Sequence, residues 1–136
     1  MVRLIVGGKG TGKTKRIIEM ANEQVDATTG HVVYIDDDMK HSFEIHHDIR
    51  LMNMEEFPIN SPDEFYGFLC GIASTDYDIE TIYVDGLIKI LGLTADALPD
   101  YIEKIEGICD QNDVSFILTL SIKEEDLNEK LSDKVI

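Results

Sequence analysis

The residue types best suited to chemistry in this sequence are concentrated in one octet close to its first residue. The octet reads Gly7-Gly8-Lys9-Gly10-Thr11-Gly12-Lys13-Thr14 and matches the phosphate-binding pattern G-x-x-x-x-G-K-[ST] in full. Glycines allow backbone conformations closed to residues with a Cβ, so successive N–H groups can form a concave anion site at the start of a helix. Lys13 supplies a cation for the β and γ phosphates, and the Thr14 hydroxyl is a ligand for Mg²⁺. The octet predicts a binding site for a nucleoside phosphate.

Positive charge is also concentrated at this octet. Lys9 and Lys15 join Lys13 there, and we expect both to assist nucleotide binding by raising the local positive potential. The whole sequence has 27 Asp and Glu residues against 12 Lys and Arg, a formal net charge of −15. Such a charge opposes general binding to nucleic acid or to an anionic membrane surface. The predicted phosphate site is therefore a basic region in an acidic protein.

A second chemical feature is Asp85, which ends the apolar run at residues 81–85. Where a phosphate-binding loop is present, an acidic residue at the end of such a strand holds Mg²⁺ together with the hydroxyl of the loop. We therefore predict that Thr14 and Asp85 form a metal site and that Lys13 and Asp85 are the catalytic residues. A simple turn aspartate before Gly86 is the alternative interpretation.

Apolar runs predict the strands that must position these residues. Four runs have the character of buried parallel strands, at residues 2–6, 31–35, 81–85 and 114–120. A weak strand is predicted within residues 49–54. Residues 133–136 are expected to form either a short fifth strand or a frayed tail.

Helical periodicity and capping patterns predict four helices between the strands. The first follows the octet and ends near Gly30. The second begins at the capping box Ser61-Pro62-Asp63-Glu64, and the third spans about 98–109 with Pro99 in its first turn. A last helix is expected to begin at a second capping box, Ser121-Ile122-Lys123-Glu124, and to reach Lys130.

Alternating strands and helices predict a single α/β domain over residues 1–136, with a mostly parallel sheet between two layers of helices. The carboxyl ends of parallel strands meet at one edge of such a sheet, where ligands bind. Asp36, Asp37 and Asp38 follow the second apolar run, and Ser121 follows the run at 114–120. We expect these residues, the octet and Asp85 to converge at that edge.

On these motifs the chain resembles the P-loop NTPase superfamily, and most closely a minimal member of its RecA-like or additional-strand branch. The resemblance covers nearly the whole chain as architecture. As motif it rests on the octet, which is the Walker A sequence or P-loop, and more loosely on the Walker B strand ending in Asp85. It implies a sheet in the order 5-1-4-3-2, with a polar sensor residue, Thr119 or Ser121, on the strand beside that of the P-loop. It also implies ATP and Mg²⁺ as ligands.

The chain departs from that branch at the residues that would activate water. Members commonly carry a catalytic glutamate directly after the Walker B aspartate, whereas this chain has Gly86. Some members carry the glutamate at the end of another strand, so one aspartate of the 36–38 run is the candidate substitute. The only arginines are Arg3, Arg16 and Arg50. Arg50 is the candidate for a charge-stabilising finger, and a solvated role is the alternative.

These features predict a small Mg²⁺-dependent ATPase that turns over slowly, with another protein chain completing its site. The alternative is a nucleotide-dependent regulatory or interaction module without significant hydrolysis. A small-molecule kinase is the third candidate, for which only residues 39–60 could supply an acceptor pocket.

No chemistry is predicted for the cysteines and most histidines. Cys70 and Cys109 fit no metal or redox spacing and are expected to be reduced core thiols. His41, His46 and His47 are expected in a surface loop and not in a metal site. No apolar run approaches the roughly 18 residues of a membrane span, and the first strand begins at once. We therefore expect no membrane insertion, no signal peptide and a cytoplasmic location.

Overall fold

The computed structural model describes all residues from 1 to 136, and its centre is one sheet of five parallel strands. The strands are β1 (Val2–Gly7), β2 (His31–Asp36), β3 (Arg50–Asn53), β4 (Ile79–Asp85) and β5 (Ser115–Ser121). They lie in the order β1-β5-β4-β2-β3, and every neighbouring pair is parallel. The carboxyl ends of all five strands therefore meet at one edge of the sheet.

Four α-helices cover the two faces of this sheet. They are α1 (Lys13–Ala27), α2 (Pro62–Thr75), α3 (Leu87–Leu91) and α4 (Leu98–Asn112). Helix α1 buries Ile17, Ile18 and Ala21 against one face, where Tyr34 and Tyr83 also lie. Helices α2, α3 and α4 bury their apolar sides against the other face in a larger cluster of 23 residues. The predicted three-layer α/β arrangement is confirmed.

The strand order agrees with the expectation for the four strands predicted from continuous apolar runs. In that numbering the run 1-4-3-2 corresponds to β1-β5-β4-β2. Strand β5 thus separates the P-loop strand β1 from the Walker B strand β4, as the additional-strand branch implies. The weak strand within 49–54 is β3, at the edge beside β2.

The fifth strand predicted at residues 133–136 is reduced to one parallel bridge between Leu4 and Val135, at the expected edge. The polar side chains ahead of Val135 are engaged elsewhere. Lys134 Nζ donates to Glu106 Oε1 at 2.7 Å, which ties the segment to α4. Only two apolar residues remain, too few to continue a strand along β1.

The predicted last helix is wrong. Ser121 is the final residue of β5, and the segment after it forms short 3₁₀ turns at Glu124–Asp126 and Glu129–Lys134. The segment buries only one side chain, that of Leu131. A local capping pattern does not hold a helix that lacks an apolar face to pack on the core.

The other helix starts follow the sequence. Ser61 Oγ accepts a hydrogen bond from Glu64 N at 3.1 Å, which caps α2 ahead of Pro62. Helix α4 places Pro99 in its first turn, as predicted. Helix α3 was not predicted. No helix of the chain combines the length and the apolar character that crossing a membrane requires.

Candidate functional site

The loop between β1 and α1 has a backbone that requires glycine at several positions. Gly10 and Gly12 have φ values of 78° and 83°, in the left-handed region that residues with a Cβ rarely adopt. A Cβ on Gly7 would lie 2.5 Å from Thr11 Oγ1. The glycines of the octet are therefore explained by the path of the chain into α1.

Two side chains of the loop turn back onto its own backbone. The carbonyl oxygen of Gly8 accepts hydrogen bonds from Thr11 Oγ1 at 2.7 Å and from Lys13 Nζ at 2.9 Å. Lys13 is also the first residue of α1, whose first turn contains no acidic side chain. The positive end of the helix dipole and its free N–H groups thus face the loop without a competing carboxylate, which favours a bound phosphate.

A cavity of about 320 Å³ lies in front of this loop, and we call it the P-loop cavity. None of its lining residues is hydrophobic; they are Lys9, Gly10, Thr11, Gly12, Lys13, Thr14, Asp85 and Ser121. Gly7 ends β1, and Gly8 begins the loop behind the cavity. Lys15 lies on the exposed side of α1 and does not line it. The structure therefore brings six of the nine residues predicted to bind nucleotide to this cavity, together with Asp85.

The Asp85 carboxylate is the centre of a polar network at the end of β4. Its Oδ2 accepts from Thr14 Oγ1 at 2.9 Å and from the Tyr34 hydroxyl at 3.4 Å, and its Oδ1 accepts from Thr119 Oγ1 at 2.6 Å. Thr119 Oγ1 in turn accepts from Gly86 N at 2.8 Å. Thr14 and Asp85 present hard oxygen donors side by side, which is the donor set that Mg²⁺ prefers. These two residues fit the predicted metal ion.

A second, acidic cavity of about 220 Å³ continues from the first along the edge of the sheet. The two cavities share Thr14, Asp85 and Ser121. Strand β2 brings Asp36 into register with Asp85 on β4, and the 36–38 run supplies three carboxylates with ligand atoms within 4.8 Å of one another. The expected convergence of the octet, the 36–38 run, Asp85 and Ser121 is present in the structure.

The carboxylates of the acidic cavity differ in protonation. Burial, a hydrogen bond with Asp37 and the nearby charge of Asp85 raise the pKa of Asp36 to about 7. Burial would also raise the pKa of Asp37, but hydrogen bonds from Lys89 and Asp36 and the Lys89 charge outweigh it, and this pKa is lowered. Burial and the charges of Asp85 and Asp36 raise the pKa of the Tyr34 hydroxyl, which stays protonated as a donor. Asp36 is thus the carboxyl group of this run that titrates near neutral pH.

Two residues of this edge were missed from the sequence. Tyr34 stands within a continuous apolar run, so nothing in the sequence separates its buried hydroxyl from ordinary core. Lys89 lies on α3 and forms an ion pair of 2.7 Å with Asp37. Helix α3 has only five residues, fewer than a periodic pattern needs. The glycines that flank it, Gly86 and Gly92, both with positive φ, were the available signal.

Two of the remaining sequence candidates lie away from this edge. Arg50 is the first residue of β3, at the opposite end of the strands, so it does not reach the P-loop as a charge-stabilising finger. It lines the largest cavity, about 570 Å³, which contains no residue of the P-loop and not Asp85. His46 and His47 stack with ring centroids 4.6 Å apart on the surface. The site chemistry belongs to the smaller polar cavities and not to the largest one.

Comparisons with known proteins bear on the fold. No protein-family model matches the sequence, and no curated protein matches it. Among solved structures, the chain is similar to the flagellar accessory protein FlaH from Methanocaldococcus jannaschii, with a TM-score of 0.60 and 15% sequence identity. The match covers 94% of this chain and 63% of FlaH, so the chain spans less than two thirds of that protein. The likeness shows the fold and agrees with a RecA-like architecture.

Proposed function

We propose that this chain binds ATP with Mg²⁺ in the P-loop cavity and hydrolyses the γ phosphate slowly. The observation that carries the proposal is the hydrogen bond between Thr14 Oγ1 and Asp85 Oδ2. It joins the P-loop helix to the Walker B strand inside a cavity lined with backbone N–H groups and lysines. A glycine-rich loop alone would support anion binding only, whereas the pair supports a metal-nucleotide complex.

In this proposal the phosphates replace the internal contacts of the loop. Lys13 Nζ leaves the carbonyl oxygen of Gly8 and contacts the β and γ phosphates, while the N–H groups of the loop and of the first turn of α1 hold the remaining oxygens. Thr14 and Asp85 hold Mg²⁺, which when bound neutralises part of the phosphate charge. Lys9, on the exposed rim of the cavity, adds to the positive potential.

Asp36 is the best-supported base for hydrolysis. It lines the acidic cavity together with Thr14, and a base with a pKa near 7 is well matched to accepting a proton at neutral pH. A water molecule attacks the γ phosphorus, its proton passes to the Asp36 carboxylate, and the bond between the γ phosphorus and the bridging oxygen breaks to leave ADP. Asp37 is engaged by Lys89, and Asp38 forms a 3.8 Å ion pair with Lys40, which leaves both less suited to this role.

Phosphate release from ATP tests the enzymatic part. We expect wild-type turnover below about 1 s⁻¹, the low end of typical enzymes. Lys13→Ala should abolish release, and Asp36→Asn should lower it by roughly a hundredfold or more, the usual contribution of a general base. Lys104→Ala, on the outer side of α4, is the matched control and should release phosphate at the wild-type rate. Release that survives Lys13→Ala would contradict the proposal.

A nucleotide-dependent interaction module is the second candidate, and one observation favours it. Beside the acidic cavity, Phe43 is 98% exposed and Met39 is 43% exposed. Apolar side chains next to a nucleotide site suit a protein partner that reads its occupancy. Nucleotide binding without phosphate release in the assay above would favour this function over hydrolysis.

The proposed partners and location follow from the same features. We propose that another protein chain docks near Phe43, and that neither nucleic acid nor a membrane is a partner, because the formal charge is −15. Cys70 and Cys109 are both free thiols, which suits the cytoplasm, a reducing compartment that supplies ATP.

A further inference from the structure

Lys89 lies beside the proposed nucleotide site without belonging to any part of the motif. It lines the acidic cavity with Thr14 and Asp85, and also an outer cavity of about 420 Å³ that continues along the same edge. Its ammonium contacts Asp37 at 2.7 Å, yet the side chain is 72% exposed. A lysine on a flexible four-carbon stem in this position can exchange one anionic partner for another without repacking the core.

No arginine lines the three cavities of this edge. Arg3 lies at the amino end of β1, and Arg16 donates from α1 to the carbonyl oxygen of Ile136 at 2.8 Å. Arg50 is at the far end of β3. A cation near the γ phosphate, other than those of the P-loop and its helix, must therefore be a lysine or come from another chain.

The basic side chains that line the acidic cavity are those of Lys40, His41 and Lys89. His41 is held by Glu44 at 2.6 Å, and Lys40 is a loop residue that is 78% exposed. Lys89 alone is carried on an anchored element, because Leu87 and Leu91 of α3 are buried. Its position relative to the nucleotide is therefore the best fixed of the three.

The start of α3 is also linked directly to Asp85. Gly86 N donates to Thr119 Oγ1, which donates to Asp85 Oδ1. The Gly86 carbonyl oxygen then accepts from Ile90 N at 2.9 Å within the helix. The helix that carries Lys89 is thus held by the same network as the proposed metal ligand.

We propose that Lys89 leaves Asp37 when ATP binds and contacts the γ phosphate from the same chain, so that it distinguishes ATP from ADP. This inference rests on the proposed function and adds a specificity-determining residue to it. The exchange needs no other chain: one carboxylate partner is replaced by a phosphate oxygen. Asp37 is the resting partner that keeps the ammonium at this edge when the γ phosphate is absent.

The test is the ratio of the dissociation constants for ADP and for the slowly hydrolysed analogue ATPγS, both with Mg²⁺, by calorimetry. We expect the wild type to bind ATPγS more tightly than ADP. Lys89→Met should reduce this ratio about tenfold, the effect of losing one charge-assisted contact to phosphate. Lys89→Arg should retain most of the preference, and the matched control Lys104→Met should retain all of it. Asp37→Asn frees Lys89 and should keep the preference.

Several results would overturn the inference while leaving nucleotide binding intact. They are a wild type that binds both nucleotides equally, an unchanged ratio in Lys89→Met, and an equal loss of both affinities in that variant, which indicates a structural role only. A loss of preference in Asp37→Asn as large as in Lys89→Met would show that the ion pair matters and not the ammonium. A wild type that binds neither nucleotide would instead refute the proposed function.

Discussion

The Thr14 hydroxyl donates a 2.9 Å hydrogen bond to Asp85, although 71 positions separate the two residues in the sequence. The bond exists because α1 begins at the carboxyl end of β1 and β4 ends at the same edge, with only β5 between the two strands. Thr119 on β5 holds the other oxygen of the same carboxylate. The two proposed metal ligands are therefore already oriented by the fold, which reduces the cost of ordering them when a ligand binds.

Replacing Asp85 separates metal binding from phosphate binding. We expect Asp85→Asn to remove the part of the ATP-induced rise in melting temperature that depends on Mg²⁺ and to leave the part seen in EDTA. The amide keeps the size of the side chain but removes the charge that attracts the ion. Asp110→Asn, on the exposed side of α4, is the control. A Mg²⁺-dependent shift that is unchanged in Asp85→Asn would exclude Asp85 from the metal site.

Thr119 is expected to contribute through its hydroxyl more than through its bulk. Thr119→Val keeps the shape but leaves Asp85 Oδ1 and Gly86 N without their partner in a buried place, and we expect a loss of about 2 kcal/mol in the free energy of unfolding. It should also reduce the Mg²⁺-dependent shift. Thr119→Ser should keep that shift while losing about 1 kcal/mol for the buried methyl. Urea unfolding of both variants checks this, and equal shifts in Val and Ser would refute it.

Asp36 predicts a pH dependence of stability. Its pKa in the folded protein, about 7, lies above the ordinary value of 3.8, so the folded state binds the proton more tightly than the unfolded state. The stability of the wild type should therefore fall as the pH rises from about 4 to 7 and lose no more from this group above that range. Because each pKa unit is worth about 1.4 kcal/mol, Asp36→Asn should stabilise by about 2 kcal/mol more at pH 8.5 than at pH 5.

Urea unfolding at the two pH values measures this difference directly. Asp110→Asn serves as the control for general charge repulsion in a protein with a formal charge of −15, and it should change stability far less between the two conditions. An Asp36→Asn effect of the same size at pH 5 and pH 8.5 would mean that this carboxyl group is not protonated in the folded state near neutral pH.

Glycine at position 12 is expected to be required by the backbone. Gly12→Ala places a Cβ at φ 83° and should cost about 1–2 kcal/mol even before any ligand is considered. Gly107 offers the matched substitution, because it lies within α4 and a Cβ there meets nothing within 4 Å. Gly107→Ala should stabilise by up to about 1 kcal/mol, the difference in helix propensity. Thermal unfolding distinguishes the two, and a neutral Gly12→Ala would contradict the loop geometry.

The sequence predicted those parts of the fold that are recorded locally in it. Continuous apolar runs identified the four central strands, and the octet with its glycines identified the turn into α1. Strand β3 gave a weak signal because its Leu51 and Met52 are only half-buried at the sheet edge. The capping box at Ser121 misled because capping is local, whereas the helix needed an apolar face that the segment lacks.

The candidate site was predictable to the same extent. Asp85 could be found because it ends an apolar run downstream of a P-loop. The contact of Lys89 with Asp37 could not, because it joins a five-residue helix to a loop 52 positions earlier and depends on the packing of β2 beside β4. Likewise, only the folded state makes Asp36 the buried member of three consecutive aspartates.

Calorimetric titration of ATPγS with Mg²⁺ into the wild type, Lys13→Ala and Lys104→Ala tests the central claim most directly. We predict one site per chain in the wild type and in Lys104→Ala, with affinity reduced by roughly a hundredfold or more in Lys13→Ala because the cation on the β and γ phosphates is lost. The absence of binding by the wild type, or equal binding by Lys13→Ala, would contradict the assignment of the loop at residues 7–14 as a nucleotide site.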